Sequence, residues 1–202
     1  MYTLIGSPQS RTRRVAWMLE ELGLDYEWVT TVRPASPEAR RHNPSGKIPA
    51  LEVDGRVLLD SVAIIQYLAD RHGRFTYPAG TLERAEQDSF TQFCVDEVDG
   101  PLWTAAKSRF VLPEAYRVPE IKGTMIYEFG RSMKVLETRL GERTWIMGDE
   151  FTVPDILFGH CAGWAANAGF EVPAGTVREY FNRVRQRPAL ARAEGRGEAL
   201  NR

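Results

Sequence analysis

Ser7 and Ser10 stand in the segment Gly6-Ser7-Pro8-Gln9-Ser10-Arg11, directly ahead of a run whose apolar positions Val15, Met18, Leu19 and Leu22 follow the helical period. Hydroxyls beside a helix start can donate to an anion, and the unpartnered amides and dipole of that helix end favour negative charge. A thiol gains most from such a turn, because its ordinary pKa of about 8.5 falls to roughly 3.5–7.5 beside helix N-termini and cations. Ser10, then Ser7, are the candidate donors, with Arg11 as an electrostatic helper; Ser10 as a plain N-cap is the competing reading. Asp60-Ser61 opens a second helical period, Ile64, Ile65 and Leu68, and Ser61 is expected to cap it. That helix start suits a carboxylate: Ser61 can donate to it, while Asp60 can accept from an ammonium or fix the turn. A plain cap with Asp60 solvated is the alternative. Lys47-Ile48-Pro49 enters a strand expected at a sheet edge, where the Ile48 N–H and C=O can pair with an extended peptide. Pro49 guarding an edge strand is the alternative there. Lys47 directly precedes that strand, and His42 reads equally well as a solvent-exposed loop residue.

The elements that must hold these residues follow from local pattern. Tyr2–Ile5 is a short apolar strand, a helix ends at Gly23, and residues 25–32 form a second strand rich in aromatic and β-branched types. Residues 34–41 make a charged turn or short helix. Residues 48–53 and 56–59 are strands joined at Asp54-Gly55, a dipeptide that favours a two-residue hairpin, and a helix runs from Ser61 to about His72. Two strands joined by a helix should be parallel and the hairpin antiparallel, giving a mixed four-stranded sheet. Gly73–Gly80 has the character of a linker. Beyond it the pattern is helical: Thr81 to Gly100-Pro101, where the helix should kink or break, then residues 102–112, then Pro119 to Leu140. Phe151-Thr152-Val153-Pro154-Asp155-Ile156 reads as a helix start, with Thr152 and Asp155 as a capping box and Phe151 and Ile156 as a hydrophobic staple.

The order of these elements, with Ile48-Pro49 at a strand start and Asp60-Ser61 at a helix start, resembles the cytosolic glutathione transferases along nearly the whole chain. The resemblance implies a thioredoxin-like α/β domain over residues 1–74 with a mixed four-stranded sheet, a linker over 75–80, and an all-α domain over 81–202. Ser10-Arg11 before Arg14 is similar to the S-R-x-x-R form of some bacterial and fungal members, the serine type that donates a hydroxyl to the thiolate. Counting back from Gly23, the family's commoner serine position carries Gln9, which joins the glutathione-binding set with His42, Lys47, Ile48, Pro49, Asp60 and Ser61. The resemblance implies a cis peptide before Pro49, the γ-glutamyl end of glutathione at Asp60 and Ser61, and a homodimer. It also implies an electrophile pocket formed between the domains from Trp103, Lys107, Phe110, Tyr116 and Trp164, any of which can equally be core. The implied activity is conjugation of glutathione, as its thiolate, to small hydrophobic electrophiles. The alternatives are a glutathione-dependent isomerase, peroxidase or dehalogenase, or a binding protein that kept the fold and lost turnover.

Composition narrows the classes further. Among 202 residues, 26 basic side chains face 27 acidic ones, without the basic excess of a nucleic-acid binder. The last 25 residues hold seven arginines against three glutamates, read as a solvated helix face with a frayed tail. No apolar run approaches the roughly 20 residues that span a bilayer, and the N-terminus starts a strand rather than a secretory leader. The first cysteine is Cys94, so a dithiol or mixed-disulfide mechanism in the first turn is excluded. Cys94 and Cys161 have no metal-ligand spacing; a reduced, cytoplasmic, metal-free protein is expected, with both thiols buried. Tyr2 sits inside a strand and is a poor donor candidate, and His42, His72 and His160 belong to no nucleophile motif.

Overall fold

A computed structural model describes residues 1–200. The chain forms two compact units, Met1–Pro78 together with the segment from Gln186 onward, and Ala79–Arg185. The first is a thioredoxin-like α/β unit: β1 (Tyr2–Ile5), α1 (Thr12–Leu22), β2 (Tyr26–Val29), α2 (Pro37–His42), β3 (Ala50–Val53), β4 (Arg56–Leu59), α3 (Ser61–His72) and, from the end of the chain, α9 (Pro188–Ala199). The sheet order is β2-β1-β3-β4, with β1 parallel to β2 and antiparallel to β3, and β4 antiparallel to β3. Asp54 and Gly55 both take positive φ, 50° and 73°, so the hairpin turns in two residues with the twist of its strands.

This order corrects one expectation. β3 is bonded on both sides, to β1 and β4, and is therefore an inner strand; the edges are β2 and β4. The strand also starts two residues later than its pattern suggests, leaving Ile48 and Pro49 ahead of the ladder. The Ile48–Pro49 peptide is cis. Behind the sheet, Ile5, Val32, Ala39 and Ala50 form a core on which Val29, Ile48 and Leu59 pack.

The arginine-rich end, largely exposed, is also tied to the first unit by ion pairs. α9 lies on α1, where Arg187 forks onto Glu21 at 2.5 and 2.7 Å, Arg192 reaches Glu20 at 3.1 Å and Glu194 receives Arg13 at 3.1 Å. Arg196 stacks 4.0 Å over the Tyr26 ring and donates to its carbonyl. The forked pair on the nearly buried Glu21 carboxylate is the strongest of these, since exposed ion pairs contribute only about 0–1 kcal/mol each. The helical pattern assigns residues 81–202 to one all-α domain; the ion pairs and packing of α9 put it in the first unit instead.

The second unit is all α: α4 (Leu82–Phe93), α5 (Gly100–Ala106), α6 (Lys122–Leu140), α7 (Val153–Ala168) and α8 (Thr176–Arg185). Gly100-Pro101 does not end the chain's helical path. A π-helical turn, Cys94–Asp99, leads directly into α5, and this local change of bonding accommodates the backbone N–H that Pro101 lacks. A second π-helical turn, Lys107–Val111, ends that path. Pro119–Ile121 is a 3₁₀ turn, so α6 begins at Lys122. Phe90, Phe129, Leu136, Phe158 and Tyr180 are fully buried in this unit, as are Cys94 and Cys161, the latter with its thiol 3.9 Å from Asp99 Oδ2. Asp155 is completely buried and accepts from Ile146 N at 2.9 Å, Thr152 N at 2.8 Å, Thr152 Oγ1 at 3.1 Å and the Tyr180 hydroxyl at 2.8 Å. The expected capping box is thus one part of a larger buried network. Among the described residues, no helix is long and apolar enough to cross a membrane.

Candidate functional site

Strand register brings three separate stretches to one end of the sheet. Ile5, the last residue of β1, pairs with Ala50, the first of β3, and Ala50 pairs with Leu59, the last of β4. The Gly6–Arg11 turn, Ile48-Pro49 and Asp60-Ser61 therefore all leave the sheet at the same end. The approach is close: a Cβ on Gly6 would lie 2.5 Å from Thr12 Oγ1 and 2.9 Å from Ile48 Cβ, and Gly6 takes φ +132°. Only glycine meets both conditions, so the first turn can press against Ile48, ahead of β3. The Gly6 carbonyl accepts from Trp28 Nε1 at 2.9 Å, which fixes the turn from the β2 side.

Inside the turn the two serines differ. Ser10 Oγ donates to the Ser7 carbonyl at 2.7 Å and accepts from Thr12 N at 3.1 Å, with Thr12 Oγ1 at 2.8 Å. Arg11, in helical conformation, is the residue before α1. Ser7 is 6% exposed, and its hydroxyl has no hydrogen-bond partner among the described residues. Gln9 is exposed at the tip.

Ile48 lies just beyond the last ladder pair, and among the described residues neither its N–H nor its C=O has a partner. Across the hairpin, the cap of α3 is Asp60 rather than Ser61: Asp60 Oδ1 accepts from Val62 N at 2.9 Å, at φ 68° and ψ 123°. The helix begins one residue earlier than expected because either residue type can cap, and Asp60 reaches the second amide. Ser61 is then released from capping. Its buried Oγ accepts from Arg14 Nη1 at 3.4 Å, leaving the hydroxyl hydrogen for another acceptor. Arg14, 2% exposed in α1, thereby joins the starts of α1 and α3; the sequence offered only its place in the S-R-x-x-R spacing.

The remaining candidates are spread more widely. His42 Nδ1 lies 3.1 Å from Glu52 Oε1 on β3, while the Lys47 ammonium is exposed and has no partner among the described residues. Tyr2 is buried with its hydroxyl 3.0 Å from His72 Nε2, and burial raises its pKa, so it remains a neutral phenol. Trp103 on α5, Lys107 on the second π-helical turn and Trp164 on α7 are half-buried in the second unit, Trp164 with its ring 6.3 Å from that of His160. Phe110 and Tyr116 are largely exposed, at 63% and 72%. Among the described residues, no three His, Cys, Asp or Glu side chains gather as a metal site.

Residues 4–78 match the family model described as the glutathione S-transferase N-terminal domain, and residues 126–188 match the glutathione S-transferase C-terminal domain. Glutathione S-transferase 1 of Zea mays is 30% identical over 158 residues, covering 71% of this chain and 70% of that protein. Glutathione transferase GST 23 of Zea mays is 28% identical over 155 residues, or 75% of this chain, which spans 66% of that relative's length. A solved glutathione transferase homologue from Lodderomyces elongisporus, described as holding two GSH per subunit, superposes with a TM-score of 0.82 at 25% identity, covering 96% of this chain and 97% of that one. A thioredoxin-like unit followed by a helical unit, with these matches in both, is a transferase architecture. The chain belongs to the glutathione S-transferase family.

Proposed function

We propose that this protein binds glutathione and activates its thiol for addition to small hydrophobic electrophiles. The observation that carries the reading is Ile48: its free main-chain N–H and C=O lie at the sheet end where the first turn and the start of α3 also emerge. Glutathione has an extended peptide middle, a thiol and two charged ends. Its cysteinyl segment pairs with Ile48 beside Pro49, as one step of strand addition. The γ-glutamyl carboxylate meets the start of α3 and the Ser61 hydroxyl, and Asp60 faces the ammonium. Lys47 and His42 receive the glycine carboxylate, and Gln9 borders the thiol. The Lodderomyces homologue described with bound GSH supports the ligand class.

For the thiol, Ser7 is the better donor. Its hydrogen is uncommitted, whereas Ser10 would have to release the Ser7 carbonyl; Ser10 braces the turn, and Arg11 and the start of α1 add positive potential. With the thiolate formed, attack on an electrophilic carbon makes the C–S bond as the leaving group departs with its electron pair. Trp103, Lys107, Phe110, Tyr116 and Trp164 of the second unit are assigned to the electrophile. The reading includes a metal-free homodimer in the cytoplasm. Light scattering at micromolar concentration should give twice the 22.9 kDa chain mass, and a monomer mass overturns the dimer.

The test is retention on immobilised glutathione combined with turnover of an aryl halide, an epoxide and a peroxide. Retention with aryl-halide turnover supports conjugation. Retention with peroxide turnover alone makes it a peroxidase, and retention without turnover makes it a binding protein. No retention overturns the reading.

A further inference from the structure

Gly197 lies in α9, far along the chain from the first turn, yet it touches that turn. A Cβ at Gly197 would stand 2.8 Å from Pro8 Cβ, 3.1 Å from Pro8 Cγ and 3.1 Å from Trp28 Cη2. Both neighbours bear on the thiol site: Pro8 sits between Ser7 and Gln9, and Trp28 holds the Gly6 carbonyl. Gly195, two residues earlier in the same helix, meets only open space. Glycine weakens a helix interior relative to alanine, so close approach is what a glycine at position 197 supplies. The helix is held on both sides of this contact, by Glu194 on Arg13 and by Thr30 Oγ1 donating to the Leu200 carbonyl at 3.3 Å.

We propose that Gly197 is a positioning residue for thiol activation, with α9 pressing through it on Pro8 and setting the Ser7–Ser10 turn in its donor geometry. The inference rests on the reading that this turn activates glutathione. It also gives the arginine-rich end of the chain a task, since Arg187, Arg192 and Arg196 fasten the helix that carries Gly197.

The experiment is the pH dependence of thiolate ultraviolet absorbance in the glutathione complex of wild type, Gly197→Ala and Gly195→Ala, each with a thermal midpoint. Both substitutions raise helix propensity, so a loosened helix cannot explain a difference between them. Gly195→Ala should raise the thermal midpoint and leave the thiolate curve in place. Gly197→Ala should move the curve to higher pH by about half a unit or more, because displaced donors stabilise the anion less. An unmoved curve in a folded Gly197→Ala overturns the inference and leaves the wider reading standing. Should Gly197→Ala fail to fold, Glu194→Ala carries the test by unpinning α9 from Arg13. Removing an anion would by itself lower the thiolate pKa, so an upward shift there supports repositioning, and a downward or absent shift overturns it. A wild-type complex whose thiolate curve lies no lower than that of free glutathione overturns the inference together with the reading beneath it.

Discussion

Ser10 Oγ donates to the carbonyl oxygen of Ser7 at 2.7 Å, so the hydroxyl that the spacing favours as thiol donor is spent on holding the turn. It also accepts the Thr12 amide at 3.1 Å. Ser10→Ala should therefore lower stability by about 0.5–2 kcal/mol, the range for a lost cap, and shift the thiolate curve little. Ser7→Ala should shift that curve to higher pH by about a unit, roughly 1.4 kcal/mol of thiolate preference, with little change in denaturation midpoint. Titration of the binary complexes separates the two serines. The opposite pattern returns the donor role to Ser10.

Gly6 is the point where the first turn, Thr12 and Ile48 meet. Gly6→Ala combines a Cβ overlap with a φ of +132° that side chains rarely adopt, so it should cost about 1–3 kcal/mol for overpacking and a similar amount for the backbone. Glutathione affinity should fall with it, because Ile48 must move. Urea denaturation and calorimetric titration check both; an unchanged denaturation midpoint contradicts the packing argument.

Asp155 gives the pH prediction. Burial pushes its pKa up from 3.8 to about 6, opposed by the bonds from Ile146, Thr152 and Tyr180. A carboxyl whose folded pKa lies above its unfolded one contributes stability that is fully present below the unfolded value and lost as pH rises through the folded one. Between about pH 4 and 6, wild-type stability should therefore fall by up to about 1.4 kcal/mol per unit from this group. Asp155→Ala should lack that slope and be less stable throughout by on the order of 3 kcal/mol, since it strands several buried donors. Denaturant midpoints of both proteins from pH 4 to 7 decide the matter, and parallel profiles contradict the linkage.

What the sequence made legible was local. Asp54-Gly55 announces its turn because both residues must take positive φ, and Thr152 with Asp155 announces a helix start because the bond spans three residues. What stayed hidden was long-range. Nothing near Ile48-Pro49 says that β1 inserts beside β3 and turns an expected edge into the sheet's interior. The Arg187–Glu21 fork and the Gly197–Pro8 contact join the two ends of the chain, so the arginines look solvated and the glycine looks like a weak spot until the fold brings them together. At the start of α3, Asp60 takes the cap that the spacing assigns to Ser61, because neighbouring Asp and Ser compete for the same role.

That one-residue change sharpens the test of the γ-glutamyl site. Since Asp60 accepts the Val62 amide, Ser61→Ala removes no cap, and its stability cost is confined to the 3.4 Å contact from the buried Arg14, about 1–3 kcal/mol. Glutathione affinity should still fall by about tenfold or more, as a hydrogen bond to a charged carboxylate is worth about 1.5–3 kcal/mol. Asp60 carries two tasks that substitution can part. Asp60→Asn keeps a cap oxygen and tolerates the positive φ of 68°, so the fold should hold while affinity for the ammonium weakens. Asp60→Ala removes the cap and puts alanine at that φ, so it should lose about 0.5–2 kcal/mol from the cap and about 1–3 kcal/mol from backbone strain. The measurement is calorimetric titration of each variant with glutathione and with an analogue lacking the γ-glutamyl unit, beside its denaturation midpoint. For Ser61→Ala and Asp60→Asn, the preference for glutathione over the analogue should shrink at temperatures where both variants are folded. If that preference matches wild type in both, the γ-glutamyl end binds elsewhere, and the start of α3 is only a well-capped helix.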